Sequence, residues 1–368
     1  MKNNLTLKPN QRRFLIKLIP YTAISLISGL MYFDIELGLL GTSANYPTTE
    51  IPYDSSASFI GTSIMSIILG LVLGSFEELL FKYRFKKFSF ISKIFIKTVL
   101  YVLIVMLLIF GVSMALNAAN LGVSIFDVNV VENVILFFSS FTLLSIIIYI
   151  TFMIGICLFF TEIVDYLGLD VVTSFFTGKY STSVTEDRIF MFLDMKSSTT
   201  IAEKIGHEKH YELINKYYAD MTKPIIQTKG NIYQYVGDEI VIFWETKDGL
   251  DQGNCLKCFF LIKERIQKRA EGYQNRFGVV PSFKAGVHLG EVTRGQVGLI
   301  KRELLFTGDV LNTTARIQSL CNELESDLLV SEELKKSIHS NGFEFEEKGA
   351  FKLKGRDQQM KLLKVHTD

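Results

Sequence analysis

The sequence predicts a chain in two parts: an N-terminal all-α transmembrane bundle of four helices, then a C-terminal α+β domain of ferredoxin-like plan. Three observations predict this. Apolar residues make up 48% of the 368 residues, and long uncharged runs concentrate in the first 160. Those runs are of the length needed to cross a hydrocarbon core, about 20 residues each. The second half alternates strand-like and helix-like patterns in the order strand-helix-strand-strand-helix-strand, the ferredoxin-like order. The expected boundaries are 1–160 for the bundle, 161–187 for a helical linker and 188–368 for the globular domain. A formal net charge of +1 argues against nucleic acid as the main partner.

The four apolar runs are 18–33 with its flanks, 58–76, 98–118 and 133–161, with charges at their ends. A cleaved signal peptide fits the first run poorly, because three more runs follow it and no small-residue cleavage site ends it. Lys2, Lys8, Arg12, Arg13 and Lys17 precede the first run. Lys82, Arg84, Lys86, Lys87, Lys93 and Lys97 follow the second, while 34–57 and 117–132 hold no Lys or Arg. Basic loops stay on the cytoplasmic side. The N-terminus and the globular domain are therefore expected in the cytoplasm, at the cell (inner) membrane. Gly70-Leu-Val-Leu-Gly74 is a G-x-x-x-G pattern that lets helices approach closely, although it is common by chance in apolar sequence. Glu77 and Glu78 read as interfacial.

In the linker, Ile163, Leu167 and Val171 recur at helical spacing, so the fourth span is expected to continue as an amphipathic helix until Gly178. Such a helix serves either as a mechanical coupler or as a tether lying at the lipid interface. Cys255 and Cys258 form C-x-x-C without a second ligand pair, and Cys157 and Cys321 stand apart. All four read as free thiols.

In the globular half, strands are expected at 188–193, 233–236, 240–244, 282–288, 303–306, 327–330, 351–353 and 362–365. Helices are expected at 197–223, 251–271 and 310–323, the first capped by Ser197 or Ser198. Gly237-Asp238 turns a hairpin. Asp194 ends the first strand and Asp238 sits in that turn, so pairing of the strands brings two carboxylates to one sheet edge. They either hold a cation between them, Mg²⁺ with substrate phosphates being the usual occupant, or are two solvated turn residues.

Four motifs in order then carry a family resemblance: F-L-D-M-K-S-S-T, V-G-D-E-I-V-I-F-W, K-A-G-V-H-L-G-E-V-T-R-G-Q-V-G and F-T-G-D-V-L-N-T-T-A-R-I, with the tail G-A-F-K-L-K-G-R. The last 185 or so residues resemble a class III nucleotidyl cyclase (adenylate/guanylate cyclase) catalytic domain. The resemblance implies cyclisation of a nucleoside triphosphate with two Mg²⁺ or Mn²⁺ ions. It implies Asp194, Asp238 and the Met195 carbonyl as metal ligands, Asn312 orienting the ribose, and Arg316 stabilising the transferring phosphate. Asn312 and Arg316 are four apart and so share a helix face. Without the resemblance they read as a first-turn cap and a solvated arginine. Lys354 matches a triphosphate-binding lysine, or is a surface loop residue. Backbone N–H groups of Ser197, Ser198 and Thr199 open a helix and suit phosphate oxygens. In the family the aspartates and the Asn/Arg pair come from different subunits, which implies a homodimer with two interface sites.

Base choice departs from the family pattern. Adenine-selective members usually carry a lysine where this chain has Gln234, and an aspartate or threonine where it has Leu305. Guanine-selective members usually carry a glutamate at the first position. Gln234 donates or accepts, Leu305 does neither, and Thr307 is a nearby substitute. ATP is favoured by analogy with bacterial membrane cyclases, with GTP or a pyrimidine triphosphate open. Two other readings stand beside this one: a diguanylate cyclase, since V-G-D-E-I echoes G-G-D-E-F, and an inert dimerising signalling module.

Overall fold

Among its described residues the apolar half forms helices α1 (Pro9–Leu40), α2 (Ser55–Phe76), α3 (Phe90–Leu121), α4 (Val128–Phe138) and α5 (Phe141–Leu167). The structure, a computed structural model, describes residues 9–41, 45, 53–81, 84–85, 88–167, 183–300, 303–339, 342–353 and 359–367. Among these, four helical stretches have the length and hydropathy to cross a membrane: Leu18–Leu40, Ser55–Leu79, Phe90–Leu121 and Phe141–Val164. The fourth expected run is not continuous. Ser139 closes α4, and Ser140 donates to the Phe137 carbonyl at 2.7 Å while accepting from the Leu143 amide at 3.3 Å. Serine hydroxyls that bond nearby backbone compete with the helical ladder, so the run splits there.

Gly70 and Gly74 do pack two helices. A Cβ on Gly70 would stand 2.6 Å from Thr22 Cα and 2.9 Å from the Tyr21 carbonyl; one on Gly74 would stand 2.7 Å from Leu18 Cδ2. The close approach of α1 and α2 thus depends on glycine at these positions.

Glu77 is buried within the bundle. It begins a π-helical turn, Glu77–Phe81, at the end of α2. Lys97 of α3 reaches Glu77 Oε1 at 2.6 Å and Glu162 Oε1 of α5 at 2.8 Å, and the Tyr101 hydroxyl donates to Glu77 Oε2 at 2.7 Å. Lys93 adds a looser pair with Glu162 at 3.6 Å. Charges inside apolar spans require such partners. Beyond α5, the expected helix position Val171 and its expected break at Gly178 lie outside the described residues.

Two units divide the chain, Met1–Thr173 and Ser174–Asp368. The second contains one eight-stranded sheet. In order it holds β1 (Val184–Met195), α6 (Ser198–Ile205), α7 (His207–Gln227), β2 (Asn231–Val236), β3 (Glu239–Glu245), α8 (Thr246–Leu250), α9 (Asn254–Gln267), α10 (Ala270–Phe277), β4 (Phe283–Val297), β5 (Glu303–Thr307), α11 (Asp309–Ser319), β6 (Leu328–Ser331), α12 (Glu332–Ser337), β7 (Phe343–Lys352) and β8 (Gln359–Thr367). The sheet runs β2-β3-β1-β4-β6-β8-β7, with β5 on β4. Its first four strands are antiparallel in the ferredoxin-like order.

Alternation along β1 sorts the two faces. Ile189, Met191 and Leu193 join Leu213, Tyr217 and Met221 of α7 and Phe259 and Ile262 of α9 in the main core. Phe190 and Phe192 point the other way, toward Val310 of α11 and Phe306 of β5. Three expected elements differ. The helix at 197–223 breaks at Gly206, whose φ is +82°, and the helix at 251–271 is two helices, α9 and α10. The strand at 282–288 continues to Val297, so Gly290 and Gly295 do not end it. Gly290 marks a close approach instead: a Cβ there would meet Val310 at 3.2 Å. Cys255 and Cys258 are free and buried, and burial pushes both thiols up to about 12.

Candidate active site

Asp194 is the penultimate residue of β1. It stands opposite Glu239 of β3 on one side and Lys284 of β4 on the other. Asp238 immediately precedes Glu239, in the two-residue turn that Gly237 makes possible with φ +63°. The register therefore sets the two aspartates side by side at the end of the sheet. The Tyr218 hydroxyl, from α7, lies 2.9 Å from the Gly237 carbonyl and 3.0 Å from that of Glu239, holding the turn from behind.

Charge is concentrated there. Burial raises the Asp194 carboxyl, and Asp238 raises it further by repulsion and a shared hydrogen bond; Lys284 and Gln318 oppose them. Burial, then Asp194 and Asp238, push Glu239 up to about 7. Two half-buried carboxylates repel each other, and a divalent cation between them removes that repulsion. The donors are hard oxygens, as Mg²⁺ and Mn²⁺ require, and Mg²⁺ commonly takes only one or two carboxylates plus waters and phosphates. The donor set fits: Asp194, Asp238 and the backbone oxygen of Met195. Among the described residues no group of three or more His, Cys, Asp or Glu side chains forms a self-contained chelate.

Ser197, Ser198 and Thr199 carry the chain from this strand into α6. Ser197 does not cap with its side chain. It adopts the left-handed region, φ +56° and ψ +30°, and makes no side-chain cap bond. That conformation, unfavourable by about 1–2 kcal/mol for a residue with a Cβ, turns the strand into the helix within two residues. Ser198 Oγ is engaged with His210 Nε2 at 3.0 Å, while Ser197 and Thr199 are exposed.

Asn312 and Arg316 sit on α11, Asn312 exposed and Arg316 half-buried, while Val310, Thr314, Ile317 and Gln318 face the sheet. The pair thus points away from the body that holds it. Gln234 on β2 and Leu305 on β5 are both exposed. Their sequence neighbours meet: the Tyr233 and Phe306 rings are 5.1 Å apart, and the Phe306 amide donates to the Tyr233 hydroxyl at 3.3 Å. Thr307 ends β5, exposed and opposite Thr293. Lys354 lies outside the described residues.

Three residues of the site went unnoticed in the sequence: Tyr218, Lys284 and Gln318. Lys284 Nζ is 3.8 Å from Asp194 Oδ2, and Gln318 Nε2 donates to the same oxygen at 3.1 Å. A signal for Gln318 was present, since it follows Thr314 by four and Val310 by eight and is a polar residue on the apolar face of its helix.

The model of the adenylate and guanylate cyclase catalytic domain matches residues 182–365. Adenylate cyclase 2 of Rhizobium meliloti (strain 1021) is 33% identical over 223 residues, 60% of this chain and 61% of that protein. An adenylate cyclase of Anabaena cylindrica is 25% identical over 192 residues, 49% of this chain and 37% of that one. The chain thus spans less than two thirds of either relative's length. Among solved structures, the adenylyl cyclase CyaB from P. aeruginosa aligns with a TM-score of 0.46 at 19% identity, over 51% of this chain and 97% of that one. With half its length matched by the family model, and with four helices able to span a membrane before it, the chain belongs to the adenylate and guanylate cyclase family, whose members make cyclic nucleotides and use divalent metals.

Proposed function

We propose that this protein is a membrane-bound adenylate cyclase, converting ATP to 3′,5′-cyclic AMP and pyrophosphate at sites shared between two copies of the chain. The observation that carries the reading is the register of Asp194 opposite Glu239, which sets Asp238 beside Asp194. Asp194, Asp238 and the Met195 carbonyl would hold two Mg²⁺ or Mn²⁺ ions. When bound, the ions lower the pKa of the ribose 3′-hydroxyl and neutralise charge on the phosphates. The 3′-hydroxyl gives its proton to solvent, its oxygen bonds the α-phosphorus, and the bond from the α-phosphorus to the β-phosphate oxygen breaks to release pyrophosphate.

The remaining groups bind and orient. Asn312 positions the ribose, and Arg316 takes the charge on the transferring phosphoryl group. The Ser197–Thr199 backbone and Lys354 hold the triphosphate. Gln234, Leu305 and Thr307 face the base. Asn312 and Arg316 point outward from their own subunit, which supports their use in a partner's site and hence a symmetric homodimer. The bundle runs to the end of α5 at Leu167, and the catalytic domain starts with β1 at Val184. The catalytic domain lies on the cytoplasmic side, following the basic loops.

ATP is favoured because the curated relatives bear adenylate cyclase names. Guanylate or other nucleotide cyclisation is the second reading, favoured by the neutral Gln234 and the apolar Leu305. The test is product identification from full-length protein in lipid nanodiscs, offered ATP, GTP, CTP and UTP in competition with Mg²⁺ or Mn²⁺. Cyclic AMP as the main product supports the proposal. Cyclic GMP selects the second reading, and no cyclic product from any of the four leaves an inert module.

A further inference from the structure

Helix α11 carries chemistry on two sides. Asn312 and Arg316 occupy its outward side. Gln318 follows Arg316 by two residues, about 200° around the helix, and is only 7% exposed. Its Nε2 donates to Asp194 Oδ2. A carboxylate only accepts, so the amide orientation is fixed by chemistry. The seat of the helix is equally fixed. A Cβ on Gly286 of β4 would stand 2.4 Å from the Gln318 amide nitrogen and 2.8 Å from the Thr314 carbonyl, so α11 lies directly on the strand's backbone. Lys284, one strand over from Asp194, approaches the same carboxylate oxygen.

We infer that Gln318 is a positioning residue for Asp194: it holds one carboxylate oxygen, fixes that side chain's rotamer for cation binding, and links it to the helix bearing Asn312 and Arg316. This deepens the shared-site reading above and rests on it. In the dimer, the helix that serves one catalytic site through its outward side steadies the metal carboxylate of the other through its inward side. Partners that orient a metal ligand commonly change affinity by 10–100-fold when removed.

The experiment uses the full chain in nanodiscs and reads Mn²⁺ binding directly by electron paramagnetic resonance, without nucleotide. Gln318→Leu keeps the volume and removes the donor; Gln318→Asn keeps the amide and loses reach, and serves where the leucine variant does not fold. Both are expected to weaken Mn²⁺ binding about tenfold, with turnover at saturating Mn²⁺ changed much less. In mixed dimers of an Asp194→Ala chain with an Arg316→Ala chain, only one site is complete. Gln318→Leu on the Arg316→Ala chain, which supplies the working Asp194, should raise the Mn²⁺ requirement; on the other chain it should not. Unchanged Mn²⁺ binding in both variants, or an equal effect from either chain, overturns the inference. Wild-type binding that Asp194→Ala does not alter would instead sink the cyclase reading itself.

Discussion

Glu239 and Asp194 face each other across β1 and β3, one carboxyl directly opposite the other. Burial, then the charges of Asp194 and Asp238, hold Glu239 up at about 7 against an ordinary value of 4.5. The native protein therefore keeps a proton that the unfolded chain has already released between about pH 4.5 and 7. The stability this proton contributes is present at the acid end of that window and lost as pH rises through the folded value. Glu239→Gln should thus stabilise the cation-free catalytic unit relative to wild type at about pH 8, and by much less at about pH 5. Trp244 is the only tryptophan and is fully buried in this unit, so its fluorescence reports the unfolding midpoint. A difference that shrinks toward pH 8 contradicts the electrostatic account.

Tyr218 supplies a second test. Its hydroxyl spans the carbonyls on both sides of Asp238. Tyr218→Phe removes a hydrogen bond of about 1 kcal/mol while keeping the ring beside that of Tyr235, centroids 4.5 Å apart and tilted at 47°. The Mg²⁺ concentration for half-maximal rate should rise roughly fivefold, the same energy expressed as affinity. An unchanged metal-activation curve would show that the turn holds its shape unaided.

Complementation tests the dimer. Asp194→Ala and Arg316→Ala chains should each be inactive alone. Co-expressed in equal amounts, half the dimers are mixed and each has one intact site of two, so recovery should approach roughly a quarter of wild-type activity. No recovery, with mixed dimers demonstrated by differential tags, excludes a shared site.

The membrane bundle gives a matched pair of glycine substitutions. Gly70→Leu drives a side chain into the backbone at Tyr21 and Thr22, whereas a Cβ on Gly111 meets nothing within 4 Å. Gly70→Leu should sharply reduce detergent-stable protein and Gly111→Leu should leave it near wild type, measured by size-exclusion chromatography after heating. Equal behaviour would remove the α1–α2 contact from the account of stability.

Local chemistry made much of this legible beforehand. The alternation in Ile189–Leu193 and the Gly237-Asp238 turn mark the strand ends that carry Asp194 and Asp238, whereas the pairing of β1 with β3 that brings the two together joins segments about 50 residues apart. Helix spacing likewise placed Asn312 and Arg316 on one side. What escaped depends on which element lies over which. Gly290 suggests a turn until Val310 is seen above it. Gln318 is an ordinary helix glutamine until α11 is set on Gly286. Glu77 reveals its partners only once the helices pack, because Lys97 and Tyr101 are 20 and 24 positions away along the chain.

That last cluster bears on how the protein is made. Lys97 is shared by carboxylates from two different helices, and Glu77 by a lysine and a tyrosine from a third segment. No span emerging alone into lipid has its full set of partners, and each would carry a charge that hydrocarbon disfavours by a few kcal/mol. The second span waits for the third, and the third for the fifth helix, whose arrival brings Glu162. The cluster is therefore complete only once α5 is in place: without α5, Lys97 keeps Glu77 alone and Lys93 lacks the Glu162 it pairs with here.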